Sequence, residues 1–460
     1  MFQVKKSFIV KTTILILIFF NLFLLNELKK KNISLEANNN NNNNTNNNSD
    51  NNNIDYNNNN ISNISNNNNN IVNETINEET LYLDFKSKPL ILNKKEKEIK
   101  DIVMSRECKY VDVVYTWVNG SDPKHQGAKK KARNDPKDID YYPSQYRDFG
   151  TLKYSLRSVR QYAPWVRKIF IITANQIPDW FNIDNSDNVK FIFHEDYFHN
   201  KSHLPTFSSN AIESNFWNLP AEVSNCFLFL NDDVFFTRPV NQSTYFDENF
   251  NQVVLVSKDK LNPYYKNTKK LDGFTKSLLF TIRAVSSIWN ETISKHTPAH
   301  GVHVFNRKIW YKIQEEFGSG LEIPSANKFR NFKDFQMTGL YVHYAMKYSN
   351  CTVSLTKDVL YVQLNNHQFD EKFEKVKTMK DNFNTVCLND GLEFINDELI
   401  KKVDSFFNES FPTLSPYELE TPKSKKVFLF VLVFILISII LKKSKKISII
   451  IEHTKFNFKK

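Results

Sequence analysis

Asp112-Val113-Val114-Tyr115-Thr116-Trp117-Val118-Asn119-Gly120-Ser121-Asp122-Pro123 is the stretch on which the reading of this chain turns. Val111, Val113, Val114, Tyr115 and Val118 form a β-branched and aromatic run that suits a buried strand, and Asn119-Gly120-Ser121-Asp122-Pro123 is a strong turn signal. In an open α/β sheet the loop beyond a strand's carboxyl end is where nucleotides bind, because small residues there let backbone amides come close to a ligand. An ordinary strand with an ordinary turn fits the same letters, so the neighbouring segments must decide.

They alternate in type. Phe149 to Tyr162 carries Leu152, Leu156 and Val159 at helical spacing and stops at Pro164-Trp165. Lys168–Thr173 and Val189–His194 read as further buried strands, Ser208 to Leu219 as a serine-capped helix, and Cys226–Leu230 as a fourth strand ending in Asn231-Asp232-Asp233. Such alternation predicts a mostly parallel sheet covered by helices on both faces. Residues 296–348 add a mostly helical half, and 370–410 read as a helical tail.

The chain has 460 residues, but not all of them can form core. Residues 38–70 are almost pure Asn and bury too little apolar surface to offset the entropy of ordering them. Ser7 to Leu25 is long enough to cross a bilayer and lacks a small-residue cleavage site, so it reads as a signal anchor, with a cleaved signal peptide as the alternative. Val427 to Leu441 carries no charge and lies between Lys423, Lys425, Lys426 and Lys442, Lys443, Lys445, Lys446. It is short for a span, although flanking lysines can extend it. These lysines explain much of the net charge of +11, so the basic balance does not imply nucleic-acid binding. The expected order is therefore a cytosolic N-terminus (1–6), an anchor (7–25), an Asn-rich lumenal stem (26–104), one folded α/β domain (105–410), a linker (411–426), a second apolar segment (427–441) and a basic cytosolic tail (442–460). Glycosylation sequons at Asn241, Asn290, Asn350 and Asn408 place the middle in a lumenal or extracellular space. Of the four cysteines, Cys351 and Cys387 are the preferred disulfide, and Cys226 reads as a buried thiol.

Two adjacent carboxylates directly after an apolar strand are costly to bury without a cation. Asp232 and Asp233 therefore point to a hard divalent ion, Mg²⁺ or Mn²⁺, that would also hold a diphosphate. A surface turn is the alternative. His300 and His303 stand three apart, at a spacing that could share one helix face, and a packed structural histidine is the competing reading. Arg330 sits among aromatics in Phe329-Arg330-Asn331-Phe332-Lys333-Asp334, suited to gripping a diphosphate or to a structural pair with Asp334 or Glu322.

Taken in order, these blocks resemble the Stealth family of sugar-phosphate transferases. The first block is 112–122. The second runs from Tyr146-Arg147-Asp148 through Leu156-Arg157-Ser158, Ala163-Pro164-Trp165-Val166-Arg167, Gln176-Ile177-Pro178 and Leu204-Pro205-Thr206-Phe207 to Asn231-Asp232-Asp233-Val234-Phe235. The third holds His300-x-x-His303, Arg307, Arg330 and Asp334. The resemblance implies a Rossmann-like nucleotide-sugar transferase core of α/β class with an added helical part, flanked by two transmembrane helices. It implies a UDP-sugar donor, an acceptor glycan or glycoprotein, and release of UMP as N-acetylglucosamine 1-phosphate is transferred. Asp232, Asp233, His300 and Arg330 would be catalytic. Trp117, Asn119, Gly120, Asp122, Arg147, His303 and Asp334 would bind substrate. A Golgi or other endomembrane location is implied, with the cell surface as a variant, and a homodimer is compatible with it. The alternatives are a conventional metal-dependent glycosyltransferase and a non-catalytic membrane-anchored sugar-binding protein.

Overall fold

The computed structural model describes residues 88–133, 143–265, 267–291, 293–356 and 358–419. Both apolar segments, the Asn tract and the basic tail lie outside the described residues. Among the described residues no helix is long and apolar enough to cross a membrane.

The strands are β1 Val111–Thr116, β2 Ile169–Thr173, β3 Val189–Phe193, β4 Cys226–Asn231, β5 Val234–Phe236, β6 Val253–Lys260, β7 His296–Pro298, β8 His303–Asn306, β9 Thr352–Leu355, β10 Val359–Leu364 and β11 Thr385–Asp390. The central sheet has the order β3-β2-β1-β4-β8, with β1 to β4 parallel and β8 antiparallel at the edge. The chain steps outward from β1 to β3 and then returns to place β4 on the other side of β1. The connection reverses between β1 and β4, and this is where an open α/β sheet leaves a ligand crevice. Thr116 pairs with Asn231 at that point, so the opening motif and the acidic doublet emerge side by side.

Both faces of the sheet are covered, which is why its central strands read as continuous apolar runs. On one face Val114, Phe170, Ile172, Phe227 and Phe229 pack with Ile99 and Val103 of helix α1 (Lys94–Ser105). On the other, Val113, Tyr115, Ile169, Ile171, Leu228 and Leu230 pack with Leu152, Leu156 and Val159 of α3 (Thr151–Tyr162); between these two in sequence lies α2 (Pro123–Ala132). Burying each such aliphatic side chain contributes about 1.5–3 kcal/mol. Further helices α4 (Gly273–Trp289), α5 (Arg307–Phe317) and α6 (Met337–Tyr348) cover the first face. A second sheet, β10-β11-β5, packs on α7 (Phe369–Met379) and α8 (Asp397–Ser410) through Phe235, Phe373, Val376, Phe407 and Phe411.

Several expectations change. The Ser208–Leu219 helix is two pieces, Ser209–Glu213 and a 3₁₀ turn at Phe216–Asn218. The 296–348 half contains β7 and β8, and the 370–410 tail contains β11, because Thr385-Val386-Cys387-Leu388 is buried on both sides. The folded unit exceeds 105–410. Helix α1, assigned to the stem, docks Glu96, Ile99 and Val103 into the body. Past 410, Phe411 and Tyr417 are buried and Glu418 pairs with Arg157 at 2.5 Å.

The disulfide is also corrected. Cys108 bonds to Cys226, with the Cα atoms 5.5 Å apart. Cys226 opens β4 opposite Val111 of β1, and Cys108 lies just before that strand, so strand pairing brings the two sulfurs together. Cys351 and Cys387 are free thiols.

Candidate active site at the carboxyl ends of β1 and β4

The chain leaves β1 through a tightly braced loop. Gly120 passes so close to Tyr146 that a Cβ would lie 2.0 Å from its carbonyl oxygen, and the Gly120 amide donates to that oxygen at 2.8 Å. No side chain fits here. Gln176, buried just beyond β2, holds the loop from beneath. Its Oε1 accepts from the Asn119 amide at 2.9 Å, while its Nε2 donates to the Asn119 carbonyl and to Asp122 Oδ2, both at 3.0 Å. Asp122 caps α2 by accepting from the Lys124 amide at 2.8 Å. Its carboxyl lies below the usual range, first because of the Gln176 hydrogen bond and then because of the Lys124 amide. The Asn119 side chain accepts from the Ser121 amide at 2.9 Å. Trp117 is buried and donates Nε1–H to Asp148 at 3.2 Å.

Asp148 leads to the acidic doublet. It accepts from the Gly150 amide at 2.6 Å, where Gly150 takes a left-handed φ of 71° and opens α3. The first residue of that helix, Thr151, donates its hydroxyl to Asp232 Oδ2 at 2.6 Å. Asp232 therefore meets the amino end of α3, where the helix dipole favours a negative charge. Asp233 is held by β11. Its Oδ2 receives Asn389 Nδ2 at 3.4 Å and the Cys387 thiol at 3.6 Å, and its Oδ1 is shielded from solvent with no hydrogen-bond partner. As residues both aspartates are only half-buried, but their carboxyl groups lie deep. Burial raises both above the ordinary carboxylate range. For Asp232 the charges of Asp233 and Asp148 push further in the same direction.

This donor set fits a divalent cation of one kind. Among the described residues no three His, Cys, Asp or Glu side chains gather as a cage. An ion such as Mg²⁺, which takes one or two carboxylates and completes its shell with phosphate and water, needs no such cage. The bare Asp233 Oδ1 is the kind of atom such an ion would satisfy.

The histidines are not on one helix face. His303 opens β8 and pairs with Phe229, which places it at the carboxyl end of β4, stacked 6.0 Å from the Phe229 ring. Burial lowers its pKa to about 3, with His300 adding to the shift. His300 lies in the preceding loop between the rings of Phe274 and Tyr361, 4.8 and 4.7 Å away. It is exposed at its edge, yet the packing around its ring lowers its pKa. Tyr361 reaches toward the acidic pair: burial raises its phenol pKa first, and the charges of Cys387 and Asp233 add to this.

Arg330 is exposed, with no pairing to Asp334 or Glu322, and its charged neighbour is the buried Glu213. Desolvation raises Glu213 to about 8, opposed by Arg330, and Glu213 Oε2 has no hydrogen-bond partner. Two residues expected to bind substrate have partners within the protein. Arg147 grips Asp390 at 2.9 and 3.1 Å and the Leu392 carbonyl at 3.3 Å, so it joins the second sheet to the site. Asp334 is 1% exposed and bonds Asn327 at 2.5 Å and the Asn331 amide at 3.3 Å, which shapes the Arg330 loop from inside. Sequence reasoning missed Gln176, Thr151, Glu213 and Asn389 as members of this site. Only Gln176 stood in a quoted block. The sequon asparagines Asn241, Asn290, Asn350 and Asn408 are all exposed.

Comparison with known proteins matches the same segments. The family models for Stealth protein conserved regions 1, 2 and 3 match residues 109–136, 145–254 and 299–347. A capsular polysaccharide phosphotransferase of Haemophilus influenzae is 30% identical over 312 residues, covering 65% of this chain and 84% of that protein. An exopolysaccharide phosphotransferase of Streptomyces coelicolor is 27% identical over 314 residues, covering 67% of this chain but 33% of its own length. The apo crystal structure of mouse xyloside xylosyltransferase 1 aligns with a TM-score of 0.30 at 9% identity over 61% of this chain and 97% of that one, too distant to bear on the argument. The chain belongs to the Stealth protein family, and by that kinship it is a phosphotransferase.

Proposed function

We propose that this protein transfers a sugar 1-phosphate, N-acetylglucosamine 1-phosphate first among them, from a UDP-sugar to a hydroxyl of an acceptor glycan, forming a phosphodiester and releasing UMP. One observation carries this reading: the braced 117–122 loop and the Asp232–Asp233 doublet lie side by side at the β1/β4 reversal of the sheet. Phosphoryl transfer asks mainly for positioning and charge neutralisation, and this site offers both. Trp117, Asn119, Gly120 and Asp122 would seat the nucleotide. Asp232 and Asp233 would hold a Mg²⁺ or Mn²⁺ ion, which when bound supplies neutralisation of the diphosphate charge. Arg330, exposed to solvent, would steady the transferred phosphoryl oxygens. His300, its pKa lowered by the surrounding rings, stays neutral near pH 7 and would take the proton of the attacking hydroxyl. The acceptor oxygen forms a bond to the β-phosphorus as the bond to the UMP oxygen breaks. An oxidising, glycosylating endomembrane compartment of Golgi type agrees with the Cys108–Cys226 bond and the exposed sequons.

The test is product identity. Purified protein given UDP-N-acetylglucosamine and a mannoside should yield UMP and a sugar phosphodiester. Asp232→Asn and Arg330→Ala should each lower turnover by on the order of 10²–10⁴-fold. Release of UDP instead would mean glycosyl transfer and would overturn the proposal.

A further inference from the structure

The matched family segments end at residue 347, yet the acidic doublet is completed by residues well beyond it. Strand β11 pairs antiparallel with β5, setting Cys387 opposite Val234, the residue that follows Asp233. The Leu388 amide then donates to the Asp233 carbonyl at 3.0 Å, which fixes the backbone of the turn that carries the doublet. From either side of Leu388, Cys387 and Asn389 point donors at the same carboxylate oxygen, Asp233 Oδ2, at 3.6 and 3.4 Å. The other oxygen, Oδ1, is buried and bare. A carboxylate held through one oxygen cannot rotate freely, and its second oxygen keeps a fixed direction. The neighbouring residue of the strand, Asp390, is anchored by Arg147 at 2.9 Å, so β11 is itself secured to the segment that leads into α3 and the Asp232 contact. Strand β10 supports the opposite side: Gly301 lies where a Cβ would meet Val359 at 2.9 Å, and the Tyr361 ring packs 4.7 Å from that of His300.

We propose that Asn389, with Cys387 in support, is a positioning residue for phosphoryl transfer that aims Asp233 Oδ1 at a divalent cation. This rests on the phosphotransfer reading above. The thiol takes no covalent part. Groups that orient a metal ligand typically change metal affinity ten- to a hundredfold when removed, and Asn389 stands in that relation to Asp233.

The experiment is Mn²⁺ binding to the purified full chain without donor, followed by electron paramagnetic resonance of the free ion, alongside turnover at rising Mn²⁺. Asp233→Asn should abolish the tight site. Asn389→Leu should weaken it about 10–100-fold, and its turnover should recover as Mn²⁺ is raised, a recovery that a purely structural defect would not show. Cys387→Ser, which keeps a donor, should bind nearly as wild type. Should Asn389→Leu fail to fold, Asn389→Ser, whose hydroxyl falls short of Asp233, should show the same weakening. Wild-type Mn²⁺ affinity in a folded Asn389 variant would overturn the positioning role while leaving the phosphotransfer reading intact. Equal binding by wild type and Asp233→Asn would sink the cation reading itself, and this proposal with it.

Discussion

Replacing Gln176 with Ala would test whether the 117–122 loop is the nucleotide seat. The Gln176 amide group donates to the Asn119 carbonyl and the Asp122 carboxylate at 3.0 Å and accepts from the Asn119 amide at 2.9 Å. A neutral hydrogen bond contributes about 1 kcal/mol net, and one to a charged group about 1.5–3 kcal/mol. Asp122 is open to solvent, so its share belongs at the low end, and the whole set is worth about 3 kcal/mol. The Gln176 side chain is 6% exposed, and water would replace these bonds poorly. A freed loop must be ordered again each time the donor binds. The cost should therefore appear as a loss of about 100-fold in kcat/KM for the UDP-sugar, a tenfold change corresponding to about 1.4 kcal/mol. KM for the acceptor should change little. Gln176→Glu provides a second arm, because its ionised carboxylate would face Asp122 Oδ2, while its protonated form can donate to it. That variant should gain activity relative to wild type as pH falls. Steady-state kinetics with the two substrates varied separately, on protein whose denaturation midpoint is checked, reads both effects. If folded Gln176→Ala kept the wild-type donor kcat/KM, the loop would not hold the nucleotide and the assignment of Asn119 and Asp122 would fail.

Glu213 predicts a pH dependence of stability. Its pKa is raised from 4.5 to about 8, so the native state holds the proton more tightly than the unfolded chain. The resulting stabilisation is complete below the unfolded pKa and is lost as pH rises toward 8. Glu213→Gln should flatten that decline, so wild-type and variant guanidinium midpoints should diverge as the solution is made alkaline; parallel curves would refute it. Removing the Cys108–Cys226 bond, which spans 118 residues, should cost about 4–5 kcal/mol by loop entropy. Guanidinium unfolding of Cys108→Ser with and without reductant measures this, and Cys351→Ala should leave the reductant sensitivity unchanged. When the protein is made in a eukaryotic secretory pathway, Asn241, Asn290, Asn350 and Asn408 should each accept a glycan, read as one mass step lost per Asn→Gln variant. An unchanged mass for all four would contradict a lumenal middle.

The parts legible in the sequence are those whose signal is local. Strands β1, β2 and β4 are buried on both faces, and their apolar runs announce them without any knowledge of neighbours. The polar ends of β1 and β4 were equally plain, since Asn-Gly and Asp-Asp interrupt those runs abruptly. Contacts set by strand order stayed hidden. Cys226 looks like any buried thiol until β1 is known to lie beside β4. Gln176 carries no local signal of its role, and only the parallel pairing of β1 with β2 brings it under Asn119. His300 and His303 suggest a helix by spacing, but the β-branched and aromatic Val304-Phe305 pull His303 into an edge strand. Glu213 sits where a helix would put a solvated carboxylate, and the helix ends there instead, against the protein interior.

Asn389 and Asp233 lie 156 residues apart in the chain. A ribosome that has finished the 117–122 loop and the acidic doublet has therefore produced a doublet without its Asn389 contact, because β11 has yet to be synthesised. Long-range pairing of this kind forms late and slowly. The contact between Asn389 and Asp233 can therefore form only after β11 has emerged and paired with β5.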